Sequence, residues 1–373
     1  MTEVVISGTG LFTPRESISN SELVSAFNRW ADLYNRENAE AIERGDRIAQ
    51  TYSSVEFIEK ASGIRSRYVV DKAGILDPER MTPSIPERDD DSQSIMCEMG
   101  VAAAQEAMAT AGIGAGDIDG VIVAASNMQR PYPAIAVETQ AALGISGYAF
   151  DMNVACSSAT FGIQQAADSI RSGSAESILM VNPEICTGHL NFRDRDSHFI
   201  FGDVCTAVIL QRADKARSGV QFTVLDSRLQ TIFSNNIRNN FGFLNRADAS
   251  DAGSPDKLFR QEGRKVFKEV CPAVAIQITE QLQRLSIPTT SLKRLWLHQA
   301  NLNMNQLIAR RVLGHDPDEI QAPVILDEYA NTSSAGSIIA LHKYHRDFEP
   351  GEVGVLCSFG AGHSIGSVIL RRR

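Results

Sequence analysis

The chain is predicted to be an α/β protein built in layers, with two similarly built halves. Three observations predict this. Short apolar runs alternate with longer stretches whose apolar residues recur at helical spacing, in both halves of the 373 residues. The composition, 43% hydrophobic and 22% charged, is that of an ordinary globular chain with enough apolar material for a large core. Each half also sends a strand into a small-residue turn that carries polar chemistry, at Cys156 in the first and at His298 in the second. The halves are taken as 1–212 and 213–373.

In chain order, residues 4–6 open as a strand that Gly8 and Gly10 break. Residues 31–56 are polar and helical in composition. Residues 71–92, with three prolines and the run from Glu87 to Asp91, read as a solvated loop. Residues 94–111 have helical spacing, 120–125 form a buried strand, and Tyr132-Pro133 starts a helix with proline in its first turn. A strand over 149–154, a helix over 157–171 and strands over 177–182 and 205–210 complete the first half, and 211–218 reads as a charged linker. The second half has a long helix over 264–285, a strand over 295–297 and a helix over 303–313. A strand over 323–326, a helix over 334–346 and strands over 354–358 and 367–370 follow.

Bulk properties exclude several classes. The N-terminal stretch MTEVVISGTG has no basic region and no long apolar run, so no signal peptide is expected, and no apolar stretch has the length of a membrane span. Six scattered cysteines without a CxxC pair argue for a reducing cytoplasm and against a disulfide framework or a zinc site, and no metal is expected. A net charge of −9 makes nucleic acid a poor partner.

Four stretches carry chemistry. In NVACSSATFG (153–162) an apolar strand ends in Cys156, followed at once by small residues that start a helix. A helix N-terminus offers unpaired N–H groups and a partial positive charge, which favour a thiolate. LHQAN (297–301) ends a strand in His298. YANTSSAGS (329–337) sets Asn331 before a small-residue helix start. SFGAGHSIGS (358–367) is a glycine-rich turn between two strands. Singly, each has a plain reading: a packing cysteine, a satisfied core histidine, a helix cap, a tight turn. Together they supply a nucleophile, an imidazole, an amide donor and free backbone N–H groups. That set suits thioester chemistry, with a thiolate attacking an acyl thioester and His298 and Asn331 stabilising the enolate left when a malonyl thioester loses CO2.

With IFGD (200–203) added, these motifs stand in the order that resembles the ketoacyl-[acyl-carrier-protein] synthase III family of the thiolase superfamily, nearly end to end. The resemblance implies a five-layer αβαβα fold, a homodimer, and fatty-acid synthesis by decarboxylative condensation of an acyl-CoA with malonyl carrier protein. No cofactor is implied beyond these substrates. Carried over by position, Cys156 matches the acylated nucleophile and His298 with Asn331 the decarboxylating pair. The N–H groups of Cys156 and Ala361 match the oxyanion hole, where the family usually has glycine at the second position. Phe359 matches a gating phenylalanine, Tyr132 an aromatic that reaches across the dimer and limits primer length, and Arg195 an arginine that contacts coenzyme A. Lys268, Arg310 and Arg311 match a basic patch that receives the acidic carrier protein.

Departures accompany the match. The family's coenzyme-stacking tryptophan is Phe57, and expected arginines are Ala61 and Asn303. The segments 31–56 and 71–92 look like insertions that could roof the acyl entrance. These features resemble members primed by a medium-chain acyl-CoA such as octanoyl-CoA. The alternatives are an acetyl-CoA-specific initiating synthase or a polyketide or alkyl-ketone synthase of the same fold. A thiolase would place a second cysteine where Phe359 stands, and a hydroxymethylglutaryl-CoA synthase would need a glutamate beside the nucleophile, which only folding could supply.

Overall fold

Strand formation in this chain is decided by burial more than by local propensity. The structure, a computed structural model, describes residues 2–251 and 253–373. The first half contains β1 (Val4–Phe12), β2 (Glu16–Ser19), α1 (Asn20–Glu37), α2 (Ala39–Glu43), α3 (Val55–Ser62), β3 (Ser66–Val69) and α4 (Ala73–Leu76). It continues with α5 (Ile95–Ala111), β4 (Gly120–Ala124), α6 (Ile135–Leu143), β5 (Tyr148–Met152), α7 (Ser158–Ser172), β6 (Ser177–Ile185) and β7 (Asp203–Arg212). The second contains β8 (Phe222–Ser234), β9 (Ile237–Arg238), β10 (Arg260–Gln261), α8 (Gly263–Arg284), β11 (Leu292–Leu297), α9 (Leu302–Leu313), α10 (Leu326–Tyr329), α11 (Gly336–Lys343), β12 (Val353–Gly360) and β13 (Gly362–Arg372).

Nine strands run in the order β11-β12-β13-β8-β1-β7-β6-β4-β5. Two groups are visible in it. β4 pairs parallel with β6, β6 antiparallel with β7, and β7 antiparallel with β1. β11 pairs parallel with β12, β12 antiparallel with β13, and β13 antiparallel with β8. The same pairing pattern thus occurs twice, and only Val5 with Thr223 and Ile6 with Phe222 join the groups. One core cluster places α7 and α11 between the groups, packing Ile163 and Ile338 with Ile122, Val208, Leu356 and Val368. A second sets α5 and α6 on the outer face of the first group, and a third sets α8 and α9 on the outer face of the second. Helices therefore cover both faces of both groups, giving five layers.

Most expected elements form within a few residues of their expected limits, and the exceptions have physical causes. β1 does not break at Gly8 and Gly10. A Cβ on either would lie 2.2 Å from the Ala107 carbonyl or 2.0 Å from the Ala103 carbonyl, so the glycines let the α5 backbone settle on a continuous strand. The expected strand over 323–326 does not form: Ile325 N–H donates to Gln299 Oε1 and the chain turns into α10. Tyr132-Pro133 lies ahead of α6, whose N-cap is Ala134. The helix expected over 334–346 is a 3-10 turn followed by α11, which stops at Lys343. The polar stretch from residue 31 is the far end of α1, which begins at Asn20 behind a Ser19–Glu22 capping box.

The central strand β8 gave no clear sequence signal. Its polar residues are paired from α8, with Gln281 Nε2 donating to Asp226 Oδ2 at 2.6 Å and Arg228 meeting Glu280 at 2.7 Å. Those partners satisfy polar groups that would otherwise mark a surface segment.

Candidate active site

The turn that carries Cys156, the candidate nucleophile, is strained. β5 ends at Met152, and Asn153 Oδ1 accepts the Ala155 N–H at 2.8 Å. Ala155 has φ 46°, a region L-residues avoid. Ser158 Oγ accepts the Val154 N–H and donates to the Ala155 carbonyl, closing the turn that leads into α7. Cys156 stands one residue before the N-cap Ser157, not within the helix.

A second turn brings the amide. The Ala330 and Ser333 backbones also have positive φ, at 56° and 50°. Between them Asn331 is clamped to the IFGD stretch, its N–H donating to the Ile200 carbonyl and its carbonyl accepting from Gly202 N–H. Asn331 Oδ1 accepts the Ser333 N–H at 2.9 Å, so its side-chain NH2 is the group left for a ligand. The Ser333 hydroxyl donates to Cys156 Sγ at 3.5 Å.

His298 follows β11, with its N–H bonded to the Cys357 carbonyl. In the same motif Gln299 bridges the Leu297 and Pro323 carbonyls, and Asn301 caps α9. The imidazole meets Phe359 edge to face, with ring centroids 5.2 Å apart. Cys156, His298, Asn331, Phe359 and Gly360 all line one cavity of about 820 Å³. Gly360 has no room for a side chain: a Cβ there would stand 2.6 Å from Cys156 Cβ.

Electrostatics at the cysteine differ from the expected thiolate. Burial pushes the Cys156 thiol up to about 11. The Ser333 hydroxyl and the backbone N–H groups of Ala361 and Cys156 pull the other way, and the nearby Glu184 charge adds to the rise. The helix end favours a thiolate only weakly, because Cys156 precedes the cap and its sulfur has lost water. Burial lowers His298 to about 4, so its imidazole is neutral at physiological pH.

Two family models match the chain: 3-Oxoacyl-[acyl-carrier-protein (ACP)] synthase III over residues 150–229, and the C-terminal model of the same family over residues 282–372. The chain is 66% identical over 349 residues to the Beta-ketodecanoyl-[acyl-carrier-protein] synthase of Pseudomonas aeruginosa, covering 94% of this chain and 100% of that one. This chain belongs to the 3-oxoacyl-[acyl-carrier-protein] synthase III family. A Beta-ketoacyl-[acyl-carrier-protein] synthase III of Acidiphilium cryptum is 34% identical over 73% of this chain and 83% of its own. The crystal structure of 3-oxoacyl-(acyl carrier protein) synthase III from Pseudomonas aeruginosa PAO1 superposes with a TM-score of 0.76 at 25% identity, covering 99% of this chain and 98% of that chain. The fold is therefore that of the thiolase superfamily, and the protein is a condensing acyltransferase.

Within this synthase the other expected residues divide. Arg195 lies over the Phe57 ring, 3.9 Å from its centroid, and Arg195 Nε donates to the Tyr52 carbonyl. Phe57 and Lys268 line the cavity. Arg310 pairs with Asp316 in the last turn of α9, and neither it nor Arg311 reaches the cavity. Tyr132 is 82% exposed and belongs to a separate cavity of about 1170 Å³, walled by 85–96 and residues near His189. Neither 31–56 nor 71–92 lines the catalytic cavity.

Sequence reasoning missed two neighbours. Arg264 also lines the mouth, one helical turn from Lys268, and that i, i+4 spacing was present in the sequence. Glu184 is the glutamate that only folding could bring near Cys156. It does not line the cavity, and its carboxylate accepts the N–H and hydroxyl of both Ser126 and Ser334. Cys186 Sγ also reaches it at 3.7 Å, burial raises its carboxyl to about 7, and through Ser334 it braces the Asn331 turn. Cys357 is buried in β12 with its thiol raised by burial, and it too stays off the cavity.

Proposed function

We propose that this synthase condenses a medium-chain acyl-CoA, octanoyl-CoA in the first instance, with malonyl-acyl carrier protein, releasing CoA, CO2 and a 3-oxoacyl carrier protein. The observation that carries the reaction is the convergence of Cys156, His298 and Asn331 on one cavity, with the backbone N–H groups of Ala361 and Cys156 beside the sulfur. The chain length is supported by the 66% identity to a beta-ketodecanoyl synthase. A ten-carbon product that gains two carbons from malonate needs an eight-carbon primer.

In the first step Cys156 sulfur attacks the acyl-CoA carbonyl. The N–H groups of Cys156 and Ala361 hold the oxyanion, and CoA departs taking the cysteine proton. The malonyl carrier then enters. Its carboxylate leaves as CO2, and neutral His298 and the Asn331 NH2 donate hydrogen bonds to the enolate oxygen. The enolate carbon attacks the acyl-cysteine carbonyl, the same N–H groups hold the oxyanion, and its collapse expels the Cys156 thiolate, which takes a proton from solvent. The reaction as written draws on its two thioester substrates and no further cofactor. Phe359 keeps the imidazole in place and separates the two stages.

Arg195 and Phe57 offer a cation and a ring to the coenzyme nucleotide, and Lys268 with Arg264 offers positive charge to the carrier at the mouth. Arg310 and Arg311 form the outer part of that patch. The enzyme is read as cytoplasmic, where acyl-CoA and reduced cysteines coexist. Among the described residues no helix is long and apolar enough to cross a membrane. It is also read as a homodimer, in which the exposed Tyr132 reaches the partner's acyl channel.

The test is intact-protein mass after mixing with equimolar acyl-CoAs from acetyl to dodecanoyl. A dominant medium-chain adduct on the wild type, absent from Cys156→Ala, is expected. Equal or preferred acetyl loading would overturn the primer class. His298→Ala and Asn331→Ala should still acylate but not release CO2 from malonyl carrier.

A further inference from the structure

His363 follows the glycine turn that carries Ala361, yet the mechanism above does not use it. Its ring is buried, with its side chain 6% exposed. Nε2–H donates to Glu269 Oε2 at 2.7 Å, and the same carboxylate oxygen accepts from Asn236 Nδ2 at 2.9 Å. The imidazole holds the Glu269 carboxyl below the usual carboxylate range. Glu269 sits on α8, next in sequence to Lys268, while Asn236 leads into β9 and the chain that walls the cavity at Ile237.

On its other side the turn is stitched to the nucleophile loop. Ser364 Oγ donates within reach of Ser157 Oγ, at 2.9 Å, and the Ala361 carbonyl, at 3.0 Å, and Ser157 Oγ reaches the Ser364 carbonyl. Beside the strand ladders that pair Gly360 with Ser364 and Gly362 with Ser234, side chains pin the turn at two points. Ser364 sets its distance from Cys156, and His363 ties it to the mouth end of α8. A backbone N–H works as an oxyanion donor only if it is aimed to within a few tenths of an ångström, and a turn rich in glycine has little rigidity of its own.

We infer that His363 is a positioning residue which, through Glu269, anchors the glycine turn to α8 and so aims the Ala361 N–H at the reacting carbonyl. This rests on the oxyanion role proposed above. It assigns the His363–Glu269 pair a part in rate that packing alone would not give it, and it links the oxyanion donor to the helix that presents Lys268 and Arg264.

Single-turnover acylation of Cys156 by octanoyl-CoA, followed by quench and intact mass, tests it. His363→Ala should lower the limiting rate by about tenfold or more, because removing an oxyanion donor outright costs about 100- to 1000-fold. The acyl-CoA concentration at half-maximal rate should stay within about twofold, since ground-state binding is untouched. His363→Gln, whose side-chain N–H can still reach Glu269, should recover most of the rate. Glu269→Ala, at a half-exposed helix position, should reproduce the defect even if the buried variant folds poorly. A wild-type limiting rate in either alanine variant would overturn the inference. So would a defect confined to half-saturation, or a glutamine variant no better than alanine. Acylation that persists in Cys156→Ala would instead overturn the underlying reading.

Discussion

Cys156 keeps its proton above neutral pH because its sulfur is buried and Glu184 lies nearby, and the hydrogen bonds around it only partly offset this. In the proposed reaction the nucleophile is therefore a thiol in the resting enzyme, released as thiolate only as the substrate carbonyl and its oxyanion donors come together. The rate of alkylation by iodoacetamide should keep rising well past the ordinary thiol midpoint near about 8.5 and reach half its limiting value only near pH 11. Ser333→Ala removes a hydrogen bond that favours the thiolate and should move the midpoint higher. A plateau below about pH 9 in the wild type would contradict this account. His298 is neutral above about pH 4, so CO2 release should not show an imidazole titration near pH 6.5. A step there would show the ring working as a charged acid.

At the scale of elements, the site consists of three turns whose shapes are dictated by short-range chemistry. The Cys156, Asn331 and glycine turns each carry their own Ser, Asn or Gly signals, so a reader of the sequence finds them. The glycine turn tolerates no side chain at 360. Gly360→Ala would force its methyl against Cys156 Cβ, and neither strand β12 nor the strained Ala155 turn can yield cheaply. Expected are a fall of about tenfold or more in acylation rate and a lowered Tm. Wild-type acylation in that variant would show that the turn is softer than drawn. By contrast, β8 left no clear signal and the 323–326 segment reads wrongly as a strand, because the state of each depends on partners far away in sequence. α8 satisfies the polar face of β8, and Gln299 takes the Ile325 N–H that a neighbouring strand would need.

For the molecule as a whole, the sheet ends at β5, an edge strand whose Tyr148 and Phe150 are partly exposed and stack with each other. An open edge with aromatic side chains is a template for another chain. Under the proposed dimer, sedimentation should give twice the chain mass, and Phe150→Glu should shift it to the monomer. If Tyr132 completes the partner's channel, the same variant should lose octanoyl preference. A fully active wild-type monomer would remove the dimer from the account.

The sequence by itself determined the layered α/β class and singled out Cys156, His298 and Asn331 as the candidate nucleophile, imidazole and amide. Those follow from local periodicity and from motifs whose capping and turn residues act over a few positions. Only the tertiary structure decided that β1 passes unbroken beneath α5, that Glu184 braces the Asn331 turn, that Lys268 and not Arg310 reaches the mouth, and that His363 grips α8. The reason is the same in each case. Close backbone approach, burial and hydrogen bonding between residues tens to hundreds of positions apart set both the thiol's proton affinity and the aim of the donors, and neither leaves a mark in a local stretch of sequence.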